Sequence, residues 1–108
     1  PLDKSTRGMI SEQRLSLMKP TAILINAARG GLIDEVALKV MLKNKRLAAA
    51  ALDVFAEEPP KDRELLELPN LLVTPHIGGS ADEAILAMGR AAISGLDDNE
   101  IPDAKTYA

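Results

Sequence analysis

The sequence predicts an α/β fold, the second half of a doubly wound parallel sheet followed by a C-terminal helix. Three short apolar runs, at residues 22–28, 47–55 and 70–74, lack the polar alternation of a half-exposed strand. Stretches of helical period separate them, and this alternation is typical of a parallel sheet covered on both faces. Three parallel strands alone would leave an exposed edge. We therefore expect the first half of the sheet to be missing from this chain.

The first helix is predicted from its start and stop signals. Ser11 is a suitable N-cap, with Ile10 and Leu15 at the spacing of a hydrophobic staple. Pro20 disfavours helical geometry at the residue before it, so the helix is expected to stop near Lys19. The first strand follows it.

The second helix and second strand follow from Asp34 onward. Asp34 is positioned to cap a helix that runs to about Asn44. Its apolar residues at helical spacing are Val36, Ala37, Val40 and Met41. The next run, 47–55, is rich in alanine, which favours helix, so its neighbours and its length are what indicate a strand.

The last helix is predicted to begin at an S-x-x-E capping box formed by Ser80 and Glu83. Its apolar stripe comprises Ile85, Met88, Ala92 and Leu96. The polar tail after Gly95 is expected to be loose. We assign residues 1–79 to the sheet domain and residues 80–108 to the C-terminal helix and tail.

Composition limits the classes of function. A chain of 108 residues with 46% apolar and 27% charged residues is typical of one small globular domain. A net charge of −3 without a Lys/Arg-rich block argues against nucleic-acid binding. The absence of cysteine excludes disulfides and thiolate–metal sites and fits a cytoplasmic location. No apolar stretch approaches the ~20 residues of a membrane span, and no metal site or membrane contact is predicted.

Each of the three predicted strands ends in a turn with an ionisable residue. Arg29 follows the first strand, Glu57 and Glu58 the second, and His76, the one histidine, the third. Parallel sheets bind ligands beyond the carboxyl ends of their strands. Consecutive parallel strands bring these ends to one rim, which is therefore the candidate site.

Each of these residues also has a purely structural interpretation. A histidine at a strand end is commonly structural, and an arginine beside two glycines is commonly a solvated turn residue. A Glu-Glu-Pro-Pro loop is usually a solvated connection. Asp53, inside an apolar strand, could cap a neighbouring loop. The convergence of Arg29, Glu58 and His76 on one rim favours a functional site.

Four stretches resemble one known family. "INAARGGLIDEVAL", "AAALDVFAEEPP" and "LPNLLVTPHIGGSADEA" are similar to the C-terminal signatures of the D-isomer-specific 2-hydroxyacid dehydrogenases. "PLDKSTRGMI" resembles the loop that precedes them in that family. The resemblance covers roughly residues 1–83 and is nearest to the phosphoglycerate dehydrogenase and hydroxypyruvate or glyoxylate reductase branches. It implies the C-terminal half of a Rossmann-like NAD-binding domain.

The resemblance implies a catalytic set of Arg29, Glu58 and His76 in an oxidoreductase. A guanidinium can bind the carboxylate of a 2-oxo acid through two hydrogen bonds and so orient the adjacent carbonyl. An imidazolium can supply the proton that the carbonyl oxygen needs when hydride reduces the carbon. A carboxylate beside the imidazole would fix its orientation and favour its charged form.

The resemblance also implies a cofactor site for NAD, with NADP not excluded. In the family, the aspartate at Asp53 bonds the nicotinamide carboxamide. Two backbone stretches lie against the cofactor: Ala27, Ala28 and Arg29, and the turn His76, Ile77, Gly78 and Gly79. Glycines let the backbone approach a flat ligand closely. Gly79 has a structural alternative, since it could serve only an unusual backbone angle.

The chain departs from the family in what it lacks. It contains no G-x-G-x-x-G pattern, and the family's small substrate domain has no counterpart here. We expect the chain alone to bind NAD poorly and to be inactive, while its parent reduces a small 2-oxo acid as a homodimer. Two alternatives remain. One is a non-catalytic, NAD-sensing corepressor-like scaffold, and the other is a dimerising interaction module whose sheet edge another chain covers.

Overall fold

The computed structural model describes residues 2–97. Its elements, in chain order, are α1 Glu12–Ser16, β1 Ile23–Asn26, α2 Glu35–Lys43, β2 Ala49–Leu52, α3 Arg63–Leu66, β3 Leu71–Val73 and α4 Asp82–Asp97. The chain divides into two compact units, one ending at Gly78 and one beginning at Gly79. The tail beyond residue 97, predicted to be loose, lies outside the described residues.

The sheet is parallel, in the order β1-β2-β3. Asn26 pairs with Leu52, and Leu52 pairs with Val73, so the three strands end level with one another. The β1–α2–β2 and β2–α3–β3 crossovers run in the same direction. Their usual right-handed sense places both helices on one face. The predicted α/β fold class is confirmed.

One face of the sheet is packed and the other is open in the described part of the chain. Ala50 and Leu52 of β2 are buried in a single core with Leu38 of α2 and Leu65 of α3. On the other face the large apolar side chains are exposed: Ile23, Ile25 and Leu72. The expected coverage of both faces is therefore not met within residues 2–97, as befits half of a doubly wound sheet.

The central strand consists of alanines followed by a leucine. Alanine favours helix in isolation, but pairing on both sides overrides that preference. Ala50 is almost completely buried, and a small side chain at that position lets the helices approach the sheet.

The short helices begin at the capping residues that the sequence indicates. The side chains of Ser11 and Asp34 accept hydrogen bonds from Arg14 N and Ala37 N, respectively. Helix α1 ends at Ser16, three residues before the predicted end near residue 19. It ends early because the amides of residues 17 and 18 bond to carbonyls three positions back, which tightens the last turn.

The apolar face of α2 differs from the predicted one. Its buried residues are Ala37, Leu38, Met41 and Leu42. Val36 is 69% exposed and Val40 is also exposed, so two of the four apolar residues named for their helical spacing lie outside the core. Six of the seven residues from 36 to 42 are apolar, and helical period alone does not choose between the two faces. The larger leucines occupy the core.

Helix α4 begins one residue later than the capping box requires. Ala81 O accepts the amide of Ile85, which gives Ala81 the N-cap position, so the predicted box at Ser80 and Glu83 is wrong. The helix continues to Asp97, past Gly95. Of its large apolar side chains, Ile85, Leu86, Met88 and Ile93 are exposed. In the described part of the chain, no helix has the length and apolarity needed to cross a bilayer.

The two faces of α2 give a matched test of the core. Leu38→Ala should lower the free energy of unfolding by about 2–5 kcal/mol, because it removes a completely buried side chain. Val40→Ala should change it by less than about 0.5 kcal/mol, because Val40 is exposed. Urea denaturation followed by circular dichroism measures both values. Equal losses in the two variants would contradict this packing.

Candidate active site

The candidate site is the rim formed by the turns that follow β1, β2 and β3. Each strand delivers a polar side chain to this rim, namely Asn26, Asp53 and Thr74. Asn26 and Asp53 are buried, so each must find hydrogen-bond partners in the protein. Their partners are the backbone amides and carbonyls of the turns, which fixes the shape of the rim.

Asp53 holds the turn that carries the histidine. Its Oδ1 accepts hydrogen bonds from Thr74 Oγ1 at 2.6 Å and from the amide of Ile77 at 2.9 Å. Its Oδ2 accepts the amide of Gly78 at 2.8 Å. The Thr74 hydroxyl and these two amides lower the pKa of the Asp53 carboxyl. The loop-capping role considered for Asp53 is therefore present.

His76 occupies the left-handed backbone region, with φ 55°. A non-glycine residue there carries roughly 1–2 kcal/mol of backbone strain. The amides of the next two residues are held by Asp53, and these bonds maintain the conformation. Neither Gly78 nor Gly79 has a positive φ, so the unusual angle considered for Gly79 is absent. A Cβ on Gly78 would lie 3.0 Å from Asp53 Oδ2, so close approach is what favours glycine there.

His76 and Glu58 form a hydrogen-bonded pair. His76 Nδ1 lies 2.8 Å from Glu58 Oε2, while Glu58 Oε1 accepts the amide of Phe55 at 3.0 Å. The bond to His76, followed by that to Phe55, lowers the pKa of the Glu58 carboxyl. Because Nδ1 is engaged, Nε2 is the ring nitrogen left to face a ligand.

A cavity of ≈ 390 Å³ adjoins this pair, lined by Glu58 and His76 together with apolar side chains such as Phe55, Pro60, Leu66 and Val73. Glu57, the other acid of the loop, pairs with Lys61 instead and lies in solvent. The two neighbouring glutamates therefore have different partners, Glu58 bonding to His76 and Glu57 to Lys61.

The turn after β1 is fixed by Asn26. Asn26 Nδ2 donates to the carbonyl of Arg29 at 3.0 Å, and Asn26 Oδ1 accepts the amide of Ala28 at 3.1 Å. Ala27, Ala28 and Arg29 remain exposed and line an open depression of ≈ 740 Å³ with two leucines. The Arg29 guanidinium donates to the carbonyl of Ala28 at 2.7 Å.

Sequence reasoning missed Asn26 and Thr74, whose hydrogen bonds shape the rim. The available signal was their position, since each is a polar residue next to or within the carboxyl end of an apolar strand. A buried polar group at such a position must be satisfied, and the adjacent turn offers unpaired backbone groups.

The structure brings five of the predicted site residues into one hydrogen-bonded cluster, namely Asp53, Glu58, His76, Ile77 and Gly78. Arg29 stands apart at the end of β1. Since β2 lies between β1 and β3, the turns carrying Arg29 and His76 are roughly 10 Å apart at the strand ends.

The turn after β1 and the loop after β2 are in direct contact. A Cβ on Gly30 would lie 1.7 Å from the carbonyl oxygen of Phe55. Nearby, Glu35 Oε1 accepts the amide of Ala56 at 2.6 Å. Burial raises the pKa of the Glu35 carboxyl, and the Ala56 amide partly offsets this rise. The rim is therefore continuous from Arg29 to Glu58.

The family of the chain follows from this fold and from a direct match. Residues 1–78 match the family described as D-isomer specific 2-hydroxyacid dehydrogenase, NAD binding domain. The chain belongs to this family, and the resemblance read from the motifs is confirmed.

Three curated relatives illustrate the degree of similarity. D-3-phosphoglycerate dehydrogenase of Methanocaldococcus jannaschii is 55% identical over 89 residues, which cover 82% of this chain and 17% of that protein. Glyoxylate/hydroxypyruvate reductase B of Enterobacter agglomerans is 50% identical over 97 residues, covering 89% and 30%. Glyoxylate reductase of Pyrococcus furiosus is 51% identical over 96 residues, covering 89% and 29%. The chain thus spans 17–30% of the length of these relatives.

Two solved structures are also similar to this chain. A glyoxylate reductase from Paecilomyes thermophila superposes with a TM-score of 0.81 at 38% identity, covering 89% of this chain and 29% of that one. An NADPH-dependent glyoxylate/hydroxypyruvate reductase from Sinorhizobium meliloti, in complex with NADP and malonate, has a TM-score of 0.79 at 35% identity, covering 90% and 30%.

Asp53→Asn should destabilise the turn in a pH-dependent way. A carboxyl whose pKa is lowered by folding stabilises the protein above its unfolded pKa of about 3.8, and this contribution disappears as pH falls through the folded pKa. The variant should therefore be less stable than the original near pH 7, and the difference should shrink below about pH 3.8. Thermal unfolding across this range measures it.

The exposed Glu67→Gln controls for the loss of one negative charge. A stability difference for Asp53→Asn that stays constant with pH would show that the carboxylate does not hold the turn through its charge.

Proposed function

We propose that this chain forms the catalytic rim of a D-2-hydroxyacid dehydrogenase that interconverts a small 2-oxo acid and its D-2-hydroxy acid with NAD(H). The observation that carries the proposal is the His76–Glu58 pair, joined at 2.8 Å. It stands at the carboxyl ends of parallel strands, where such sheets bind their ligands, on the same rim as Arg29.

His76 is the acid and base of the proposed reaction. In reduction, Nε2 donates its proton to the carbonyl oxygen of the substrate. In oxidation, the neutral ring accepts the hydroxyl proton. Glu58 binds Nδ1, which fixes the orientation of the ring and leaves Nε2 for the substrate. The second oxygen of Glu58 is held by the Phe55 amide, so the carboxylate is itself fixed in place.

Arg29 binds the substrate carboxylate in this proposal. Its guanidinium is exposed and its hydrogen bond to Ala28 is local, so a carboxylate can replace that contact with two charge-assisted bonds. The separation of roughly 10 Å from the histidine turn is suited to a small acid bound between two long side chains. Orientation of the carbonyl toward His76 follows from this anchoring.

The rim fits a nicotinamide dinucleotide at its exposed turns. The backbone of Ala27 and Ala28 borders an open depression. Asp53 Oδ2 accepts one amide and so keeps acceptor capacity for a carboxamide. Ile77 and Gly78 would face the same ligand from the turn after β3. When bound, the cofactor supplies or accepts the hydride.

The finer assignments rest on relatives. Glyoxylate, hydroxypyruvate and phosphohydroxypyruvate are the proposed substrate candidates, in view of the relatives named as glyoxylate, hydroxypyruvate and phosphoglycerate enzymes. NAD(H) is the proposed cofactor, although one similar structure holds NADP. A homodimer in the cytoplasm, and the division of the chain at residue 79, stay predictions.

The activity test uses the full-length protein that carries this chain. Oxidation of NADH and of NADPH is followed at a fixed pH with each of the three 2-oxo acids. We expect saturable turnover with one or more of them. Cofactor binding without turnover of any of the three acids would contradict the proposed dehydrogenase activity and favour the corepressor-like scaffold.

Glu58 and its neighbour Glu57 allow a matched pair of variants. Glu58→Gln should lower kcat by about 10²-fold, because His76 loses the carboxylate that orients its ring. Glu57→Gln should leave kcat unchanged, because Glu57 pairs with Lys61 away from the ring. Steady-state kinetics on the folded variants measures both. Similar kcat values in the two variants would remove Glu58 from the mechanism.

The role of Arg29 is tested with a variant that keeps its charge. Arg29→Lys should raise KM for the 2-oxo acid by about 10- to 100-fold, because a single ammonium cannot replace a two-bond contact worth about 1.5–3 kcal/mol. The KM for NADH should change far less. An unchanged KM for the acid would mean that Arg29 does not bind the substrate carboxylate.

A further inference from the structure

Two successive amides of the loop after β2 donate to two different carboxylates. The amide of Phe55 bonds to Glu58 Oε1 at 3.0 Å, a contact within the loop. The amide of Ala56 bonds to Glu35 Oε1 at 2.6 Å, and Glu35 belongs to the first turn of α2, 21 residues away. The loop that carries Glu58 is therefore held from outside by Glu35.

The segment that carries Glu35 is itself fixed. Gly30 packs against the same peptide group, since a Cβ there would lie 1.7 Å from Phe55 O and 2.6 Å from Ala56 N. Between the two residues, the carbonyls of Gly31 and Leu32 accept the amides of Gly8 and Ile10 at 2.7 and 2.9 Å. Glu35 thus follows a hydrogen-bonded segment and faces a loop whose residues 56–59 are exposed.

The environment of Glu35 is otherwise unfavourable for a carboxylate. Burial raises its pKa, and the negative charge of Asp62 raises it further. The nearby cation Lys39 is engaged by Asp62 at 2.7 Å and by Glu64 at 3.3 Å. The contact that lowers the pKa of Glu35 is the Ala56 amide. The hydrogen bond from the Ala56 amide is thus the interaction that offsets the cost of burying the Glu35 carboxylate.

We propose that Glu35 is a positioning residue for the reaction. It holds Ala56, and thereby sets the course of the loop so that Glu58 Oε2 stays within hydrogen-bond distance of His76 Nδ1. The inference rests on the proposed function of the His76–Glu58 pair. Glu35 touches neither His76 nor a ligand in this scheme, and it acts through Ala56 and Glu58.

Removal of Glu35 should leave the fold intact. Ala56 is exposed, so its amide can bond to water when the carboxylate is gone. The side chain of Phe55 stays anchored in the core. The expected effect is a loop that no longer keeps one position. Small displacements of a catalytic group have large effects on rate, up to about 10²-fold for 1 Å.

The test compares Glu35→Ala with Glu35→Gln in the full-length protein. Glu35→Ala should lower kcat for 2-oxo acid reduction by about tenfold, with little change in KM. Glu35→Gln should restore kcat, because its amide oxygen can accept the same N–H. Glu64→Ala is the matched control, because it removes ion pairs to Lys39 and Lys43 without touching the loop, and it should leave kcat unchanged.

Two outcomes would overturn the proposal: full kcat in folded Glu35→Ala, or a Glu35→Gln variant as slow as Glu35→Ala. The imidazole ¹⁵N signals of His76, assigned with His76→Gln, supply a readout that needs no turnover. Glu35→Ala should shift them and Glu35→Gln should not. A protein that reduces no 2-oxo acid rejects the proposed function. In that case unshifted signals in Glu35→Ala reject the positioning role, and shifted signals support it.

Discussion

The geometry of the rim depends on one buried carboxylate, that of Asp53. A buried charge is tolerated when hydrogen bonds compensate it, and Asp53 accepts three, from Thr74, Ile77 and Gly78. These partners all belong to the end of β3 and the turn after it. Asp53 therefore ties the central strand to its neighbour and, by fixing two consecutive amides, holds the backbone of His76 in a conformation that the residue would not adopt alone.

A second set of contacts connects this turn with the other two. His76 bonds to Glu58, Glu58 bonds to the Phe55 amide, and the neighbouring peptide packs against Gly30. Asn26 in turn shapes the backbone around Arg29. Each turn that carries a side chain to which we assign chemistry is thus shaped by hydrogen bonds of Asn26, Asp53 or Glu58. The three parallel strands end level with one another. Buried supporting residues and exposed reactive residues therefore lie along the same rim.

The sequence was sufficient to predict the order and type of the three strands and of α1, α2 and α4, because apolar runs and capping residues such as Ser11 and Asp34 are local signals. It also placed Arg29, Glu58 and His76 on one rim. The buried face of α2 was not predictable from period, since apolar residues occupy both faces and only packing against β2 selects Leu38 over Val36. Asn26 and Glu35 were missed for a related reason. Their partners are backbone groups of turns, whose directions depend on the folded chain, and no side-chain pattern in the sequence records them.

The exposure of the His76–Glu58 pair has a consequence for the strength of its interaction. The side chain of His76 is 48% exposed and that of Glu58 is 38% exposed, so water surrounds much of the pair. The attraction between the imidazolium and the carboxylate varies inversely with the local dielectric constant, and dissolved ions screen it further. A molecule that fills the adjoining cavity and displaces this water lowers the dielectric around both groups. Filling of the cavity would therefore strengthen the attraction within the pair and hold the imidazole ring more firmly.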